Sequence, residues 1–324
     1  MENKKILIDC MYNKEIFISL IEYFSNKNVI LFLRESPYVE RKILENIKTK
    51  IKDEQLIIYT LRNSSILKKI CSKLLEWKIT LKIKRVLSIK QAIFFREGSI
   101  LFNQLKKNNK IFLYEHGMIN YQKTEEMFHG KKITLLNKII LKCFGESISS
   151  YGRDKNVEKI YLFNPEKAPF DIKEKVKKLD LRKKWENLKK GDKENIINIF
   201  GLENLNKEEY EGKIILLTQP LSEQKLISEE EKLQIYSKII ENYSEKEIVI
   251  KVHPREKTNY SKYFKCQILS NEFPIEILEL ENIRFKKAIT LYSTAINSFN
   301  YEIEKEILGT EISENLKKSR GVIK

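Results

Sequence analysis

Three short phrases in this chain combine residue types that can move a proton or grip a phosphate. Glu115-His116-Gly117 follows the apolar run Ile111-Phe112-Leu113-Tyr114. Lys251-Val252-His253-Pro254 follows Ile248-Val249-Ile250, and Ser293-Thr294 follows the run from Ala288 to Tyr292. A carboxylate or imidazole tuned by its neighbours can take a proton from a hydroxyl. A protonated His253 can hydrogen-bond a leaving phosphate or give it a proton. The Ser293 and Thr294 hydroxyls suit a helix N-cap, where free N–H groups and a dipole also attract an anion. Together these point to group transfer with a phosphate as leaving group.

Other residues support that reading. Lys251 and Arg255 flank His253 with positive charge, and Pro254 fixes the turn. Gly117 permits close approach of backbone to a substrate. Thr218-Gln219-Pro220 ends another apolar run and could hold a base or ribose, or simply form a turn. Each motif also has a plain structural reading: a solvated strand-end carboxylate, a satisfied loop histidine, a cap. His129, before Gly130, reads as a loop residue.

The elements that must position these residues alternate. Lys5 to Ile8, Val29 to Leu33, Leu56 to Tyr59, Val86 to Ile89 and Ile111 to Tyr114 read as strands. Between them Lys14 to Phe24, Tyr38 to Ile51, Ser64 to Trp77 and Phe95 to Leu105 read as helices, with apolar residues recurring at three and four. The pattern restarts with strands at Lys213 to Leu217, Glu247 to Ile250, Gln267-Ile268 and Ala288 to Tyr292. Helices are expected at Ser228 to Tyr243, at Pro274 to Leu280 and finally at Ala295 to Ile307. Ser228 and Glu231 have capping-box spacing. The polar tail after Gly309 is expected to fray or to pack back on the first domain.

Strands alternating with helices of 10 to 15 residues mean crossover units and mainly parallel sheets. In such sheets ligands gather at the carboxyl ends of the strands, where all three phrases lie. The fold expected is α/β. Two domains are expected, 1–175 and 176–324, the second with a C-terminal helix. The lysine-rich stretch Asp171 to Asp192 is read as the connection.

Composition narrows the class. The chain has 324 residues, 42% hydrophobic and 33% charged, which suits a globular protein. No signal peptide is evident, and no stretch approaches 18 uncharged apolar residues; Ile133 to Phe144 is broken by Lys138 and Lys142. Cys10, Cys71, Cys143 and Cys266 are scattered, as reduced structural cysteines are. The net charge of +16 suits an anionic partner, but the basic residues are interleaved with glutamates and no aromatic-basic patch for nucleic acid appears. GxxxxGK[ST], GxGxxG and Asp-x-Asp are all missing, so no metal and no cofactor are expected.

The order of the phrases is specific: an acidic residue before glycine, Lys-x-His-Pro, then Ser-Thr. It resembles the motifs of bacterial sialyltransferases, and Leu217-Thr218-Gln219-Pro220-Leu221-Ser222 resembles glycosyltransferase family 52, the lipooligosaccharide sialyltransferases. The resemblance runs from about Ile111 to Phe299. It implies a GT-B architecture of two Rossmann-like domains with a cleft between them, 1–175 on the acceptor side and 176–324 binding the nucleotide sugar. It also implies metal-independent, inverting transfer from CMP-N-acetylneuraminate to a galactose hydroxyl of a surface glycan, lipooligosaccharide or capsule. Glu115 then falls in the acidic motif as base, His253 meets the CMP phosphate, and Ser293 and Thr294 grip it too. Gly117, Gln219, Lys251 and Pro254 join the donor-binding set. The family pattern has two acidic residues before the glycine; here the second is His116, so His116 is the alternative base. A cytoplasmic enzyme is expected, with a glycan or glycolipid acceptor. Peripheral contact with the anionic inner membrane face and a homodimer are both compatible with it; nucleic acid is not expected. The competing readings are a teichoic-type polyol-phosphate transferase using a CDP-activated donor, and a non-enzymatic basic polyanion-binding protein.

Overall fold

A computed structural model describes residues 5–60, 66–123, 143 and 145–323. His129 and most of the stretch from Ile133 to Phe144 lie outside the described residues. The chain divides into two compact units, Met1–Ile199 and Phe200–Lys324. Each has its own parallel sheet.

The first sheet has seven strands: β1 (Lys5–Cys10), β2 (Val29–Glu35), β3 (Leu56–Thr60), β4 (Ile89–Phe94), β5 (Lys110–Tyr114), β6 (Val157–Leu162) and β7 (Val176–Lys178). They lie in the order β3-β2-β1-β4-β5-β6-β7, every pair parallel. The strands β1 and β2 are apolar over most of their length because both faces of the sheet are covered. The helices are α1 (Asn13–Ser25), α2 (Arg41–Lys50), α3 (Ile66–Val86) and α4 (Ile100–Leu105), then α5 (Leu181–Glu186) and α6 (Lys190–Ile199). The order reverses at β1 and β4, the place where an open α/β sheet makes a crevice.

The second sheet repeats the plan with five strands: β8 (Ile214–Leu217), β9 (Ile248–Lys251), β10 (Gln267–Leu269), β11 (Lys287–Thr290) and β12 (Glu304–Ile307). Their order is β10-β9-β8-β11-β12, again all parallel. The helices α7 (Glu229–Ile240), α8 (Glu276–Leu280) and α9 (Glu314–Arg320) complete the unit.

Several expectations shift. The boundary falls after Ile199 rather than at 175/176. The stretch Asp171 to Asp192 is no free connection: it supplies β7, α5 and the start of α6 to the first unit. Trp185 of α5 is buried against Phe17 of α1, ring centroids 5.8 Å apart. Asn46 of α2 donates to the carbonyls of Asn198 and Ile199 at the end of α6. The high charge of this stretch misled because its inward residues, Ile172, Val176, Leu179, Leu181, Trp185 and Leu188, are spaced out among lysines and acidic residues.

The expected strand at Val86 to Ile89 starts only at Ile89, since α3 runs on to Val86. The expected final helix from Ala295 to Ile307 is a short 3-10 turn, Thr294–Ser298, followed by β12. The apolar spacing there fits a crossover as well as a helix. The tail after Gly309 does not fray but packs within its own unit. Leu316 of α9 is buried in the second core, and Asn315 donates to Glu231 of α7 at 3.0 Å. Ser228 does cap α7, accepting from the Glu231 N–H at 3.1 Å. The Glu231 carboxylate does not return to Ser228; it holds Ser313 and Asn315 instead.

One buried ion cluster ties the first sheet to α3. Arg34 of β2 donates to both oxygens of Asp9 on β1, at 2.7 and 3.0 Å, and forms an ion pair with Glu76 of α3 at 2.8 Å. Its guanidinium also lies over the rings of Phe32 and Tyr59. Removing the cation strands two buried carboxylates. Arg34→Leu is therefore expected to lower stability by about 3–5 kcal/mol in urea unfolding; a loss under about 1 kcal/mol would contradict this account.

Candidate active site

Adjacent residues at a strand end point to opposite sides, and this separates Glu115 from His116. Both follow β5. Glu115 is buried. Its Oε2 accepts from the Tyr121 hydroxyl and from the Phe163 N–H at 2.9 Å. Its Oε1 lies 3.9 Å from the Lys14 ammonium. The carboxylate thus pins the segment after β5 to the segment after β6.

His116 is partly exposed and turns to the start of α1. Its Nδ1 is 2.8 Å from Glu15 Oε1. Glu15 is buried, and its Oε2 already accepts the N–H groups of Met11 and Tyr12. A carboxylate engaged in this way accepts, so Nδ1 of His116 carries the proton and donates. The Nε2 lone pair is then left as the acceptor, as in the carboxylate–imidazole pair of hydrolytic triads. Nε2 has no hydrogen-bond partner among the described residues.

The imidazole sits between two rings, with Tyr12 at 5.8 Å and Tyr151 at 6.1 Å between centroids. Tyr151 adopts a φ of +48°, unusual for a bulky residue. Glu97, buried after β4, holds its loop by accepting from the N–H groups of Ser150 and Gly152 at 2.7 and 2.8 Å. Gly117 has a φ of +146°, open to glycine alone, while an added Cβ would meet nothing within 4 Å. Its role is the turn itself. Asn120, fully buried, accepts from the N–H groups of His116 and Gly117 at 2.8 and 3.1 Å and closes that turn.

In the second unit His253 follows β9. Its Nδ1 accepts from the Arg255 N–H at 3.1 Å, so the proton of a neutral ring sits on Nε2. Its own N–H donates to Glu256 Oε2 at 2.9 Å. Glu256 is buried and also takes the Thr218 hydroxyl, after β8, and the Tyr260 hydroxyl at 2.6 Å. The fully buried Lys232 stands 3.9 Å from it and pairs with Glu229 at 2.9 Å and Glu223 at 3.2 Å. Glu256 thereby joins the loops after β8 and β9.

Lys251 does not contribute as expected. Its ammonium is buried, donating to the carbonyls of Val252 and Ser270 at 3.2 and 2.6 Å, 4.4 Å from the centre of the Phe273 ring. Burial lowers its pKa to about 7. Gln219 is buried too, with its N–H given to the Tyr236 hydroxyl and its Oε1 without a partner among the described residues. Pro254, Arg255 and Thr294 are exposed. Ser293 caps the 3-10 turn, accepting from the Ala295 N–H, and its own N–H is held by Thr290.

A model of glycosyltransferase family 52 matches residues 34–316. The chain belongs to this family. The family 52 chain is 33% identical over 238 residues to an uncharacterized protein of Haemophilus influenzae, covering 72% of the one and 74% of the other. Among solved structures it is similar to an alpha/beta-galactoside alpha-2,3-sialyltransferase of Photobacterium phosphoreum. There the TM-score is 0.52 and identity 14%, with 94% of this chain and 90% of that one covered. It is also similar to a UDP-GlcNAc 2-epimerase of Methanocaldococcus jannaschii, at TM-score 0.51 and 14% identity, with 91% and 80% covered. At such identities these likenesses speak for the fold, which is the GT-B type that the family resemblance implied.

The glycosyltransferase has no group of three or more His, Cys, Asp or Glu side chains arranged to hold a metal among its described residues. The supporting residues Glu15, Tyr12, Asn120, Tyr151 and Glu256 escaped the sequence reading. Only Glu256 left a signal, three residues after His253, the spacing at which a side chain reaches back to a backbone N–H.

His253 has its pKa lowered to about 4, first by burial and then by Arg255 and Lys251. The ring is therefore neutral at pH 7, not protonated as expected. Unfolded chain takes up this proton near pH 6.5 and folded protein near 4. The stability from this residue is complete above about pH 6.5 and is lost as pH falls towards 4. NMR of labelled histidines is expected to show the Nε2–H tautomer at pH 7 and a midpoint near 4; a midpoint at or above 6.5 would contradict the burial argument.

Proposed function

We propose that this glycosyltransferase moves sialic acid from CMP-N-acetylneuraminate to a galactose-terminated surface glycan, inverting the anomeric centre without a metal. The acceptor-side base is His116, with Glu15 holding it in the required tautomer. Glu115, the first expectation for the base, is assigned the structural task of joining the loops after β5 and β6. The carrying observation is the Glu15–His116 hydrogen bond of 2.8 Å, which leaves Nε2 as a proton acceptor.

The acceptor oxygen bonds to the anomeric carbon as the bond from that carbon to the phosphate oxygen breaks. The hydroxyl proton passes to His116 Nε2. CMP leaves with the bonding electron pair, and the His253 Nε2–H donates a hydrogen bond to its phosphate. A donor that strengthens as charge develops lowers the barrier more than one that binds substrate and transition state alike. Thr294 and the Ser293 loop supply further contacts to the phosphate. The buried Gln219 Oε1 awaits a donor group, which the amino group or ribose of a cytidine nucleotide would provide. The site of action in this reading is the cytoplasmic side of the inner membrane.

The test is release of CMP from CMP-N-acetylneuraminate with a lactose-type acceptor. His116→Ala is expected to lower kcat by about 10²- to 10⁴-fold, the usual contribution of a general base, with little change in donor KM. His253→Ala should also lower kcat. Glu115→Gln keeps an oxygen to accept with and should cost much less than His116→Ala. A His116→Ala enzyme at wild-type rate, with Glu115→Gln inactive, would return the base to Glu115. In thermal shift, CMP should stabilise the protein; stabilisation by CDP-glycerol but not by CMP would instead make it a polyol-phosphate transferase.

A further inference from the structure

The helix α3 does not sort its faces by polarity. Among its described side chains Ser72, Glu76, Thr80 and Ile83 are buried, with Ile79 packed against the core beside them. Its outward positions include Leu74 at 46% exposure, Leu75 at 48% and Trp77 at 42%. A helix on the surface of a water-soluble fold ordinarily buries its leucines and exposes its glutamate. Here Glu76 is held inward by Arg34, 2.8 Å away, and that fixes the rotation of the helix. Among the described residues three large apolar side chains within one turn thus stand exposed, an arrangement that marks an interaction surface.

The charges on the same side say what the surface meets. Lys78, Lys82, Lys84 and Arg85 are all exposed and follow the apolar cluster along the helix. Glu76 is the only acidic residue of α3, and it faces inward. The outer face is therefore apolar and cationic, with no carboxylate of its own. A protein partner would need a matching patch of one sign. An anionic lipid surface offers both halves at once: acyl chains for leucine and tryptophan, headgroups for lysine and arginine. Tryptophan favours that boundary, and long basic side chains reach up from it to the headgroups.

We propose that the outer face of α3 docks the protein onto an anionic bilayer, with Leu74, Leu75 and Trp77 at the acyl boundary and the four basic residues among the headgroups. The proposal stands apart from the sialyl-transfer reading. It requires only that α3 sit as it does on the first sheet.

Tryptophan emission gives a direct readout. The chain has two tryptophans, and Trp185 is buried. The full-length protein is mixed with vesicles of phosphatidylglycerol and phosphatidylcholine, or of phosphatidylcholine alone, and followed by sedimentation and fluorescence. Binding to the anionic vesicles with a blue shift is expected, and neither is expected with phosphatidylcholine alone. The blue shift should vanish in Trp77→Phe while binding persists. Leu74→Asp with Leu75→Asp should abolish binding. Lys78→Gln with Lys82→Gln should weaken it roughly 25-fold, at about fivefold per lysine near the surface. These positions are exposed, so unfolding midpoints should hold; if the aspartate pair misfolds, the glutamine pair carries the test. No partition into anionic vesicles, partition without a Trp77 shift, or partition untouched by the lysine pair would each overturn the proposal. So would self-association through Leu74 and Leu75 in the absence of vesicle binding.

Discussion

A neutral imidazole has one donor and one acceptor, and the neighbour of Nδ1 decides which nitrogen does which. The two strand-end histidines of this chain have opposite neighbours. Glu15 accepts from His116, and the Arg255 N–H donates to His253. One ring is thereby left with a lone pair on Nε2 and the other with a proton there. In the proposed reaction, proton removal needs the first and support of a departing phosphate needs the second; with the two neighbours exchanged, neither ring would suit its proposed task. The surrounding buried groups serve these two bonds. Asn120 and Gly117 turn the backbone so that His116 reaches Glu15, and Glu256 holds the backbone of His253.

The two parallel sheets explain why such groups come from distant parts of the chain. Every parallel connection must cross back over the sheet, so all strands deliver their next residue at the same edge. Met11 and Tyr12 after β1, Glu97 after β4 and Glu115 with His116 after β5 meet for that reason. The same logic brings Thr218, His253 and Ser293 to one edge of the second sheet. The crossovers give each unit the burial on both faces that its apolar strands require.

That logic was readable in the sequence as far as apolar runs and short motifs carry it. The strands bearing Glu115, His253 and Ser293 were legible, as was the ordered motif trio. The support shell was not. Glu15 lies 101 positions from His116, and no local pattern links them. Lys251 read as a phosphate contact because it neighbours His253, but it is the last residue of β9 and its ammonium is buried on two backbone carbonyls. β7 and α5 were read as linker because short elements at a sheet edge need few apolar residues. The protonation of His253 was misjudged because burial, not the neighbouring charges alone, sets it.

The return of α5 and α6 to the first unit affects how the protein forms. Trp185 packs on Phe17, and the end of α6 is held by Asn46. The early elements of the first unit therefore wait for its last ones. Contacts so far apart in sequence slow folding, because a long loop must close before they are gained. On a ribosome, where a chain emerges at about 5–20 residues each second, β1 and α1 are exposed for some ten seconds or more before α5 and α6 arrive. During that interval the apolar strand β1 and the inner face of α1 lack their final cover. The first unit, rather than the smaller second one, is where synthesis and folding are most tightly bound together.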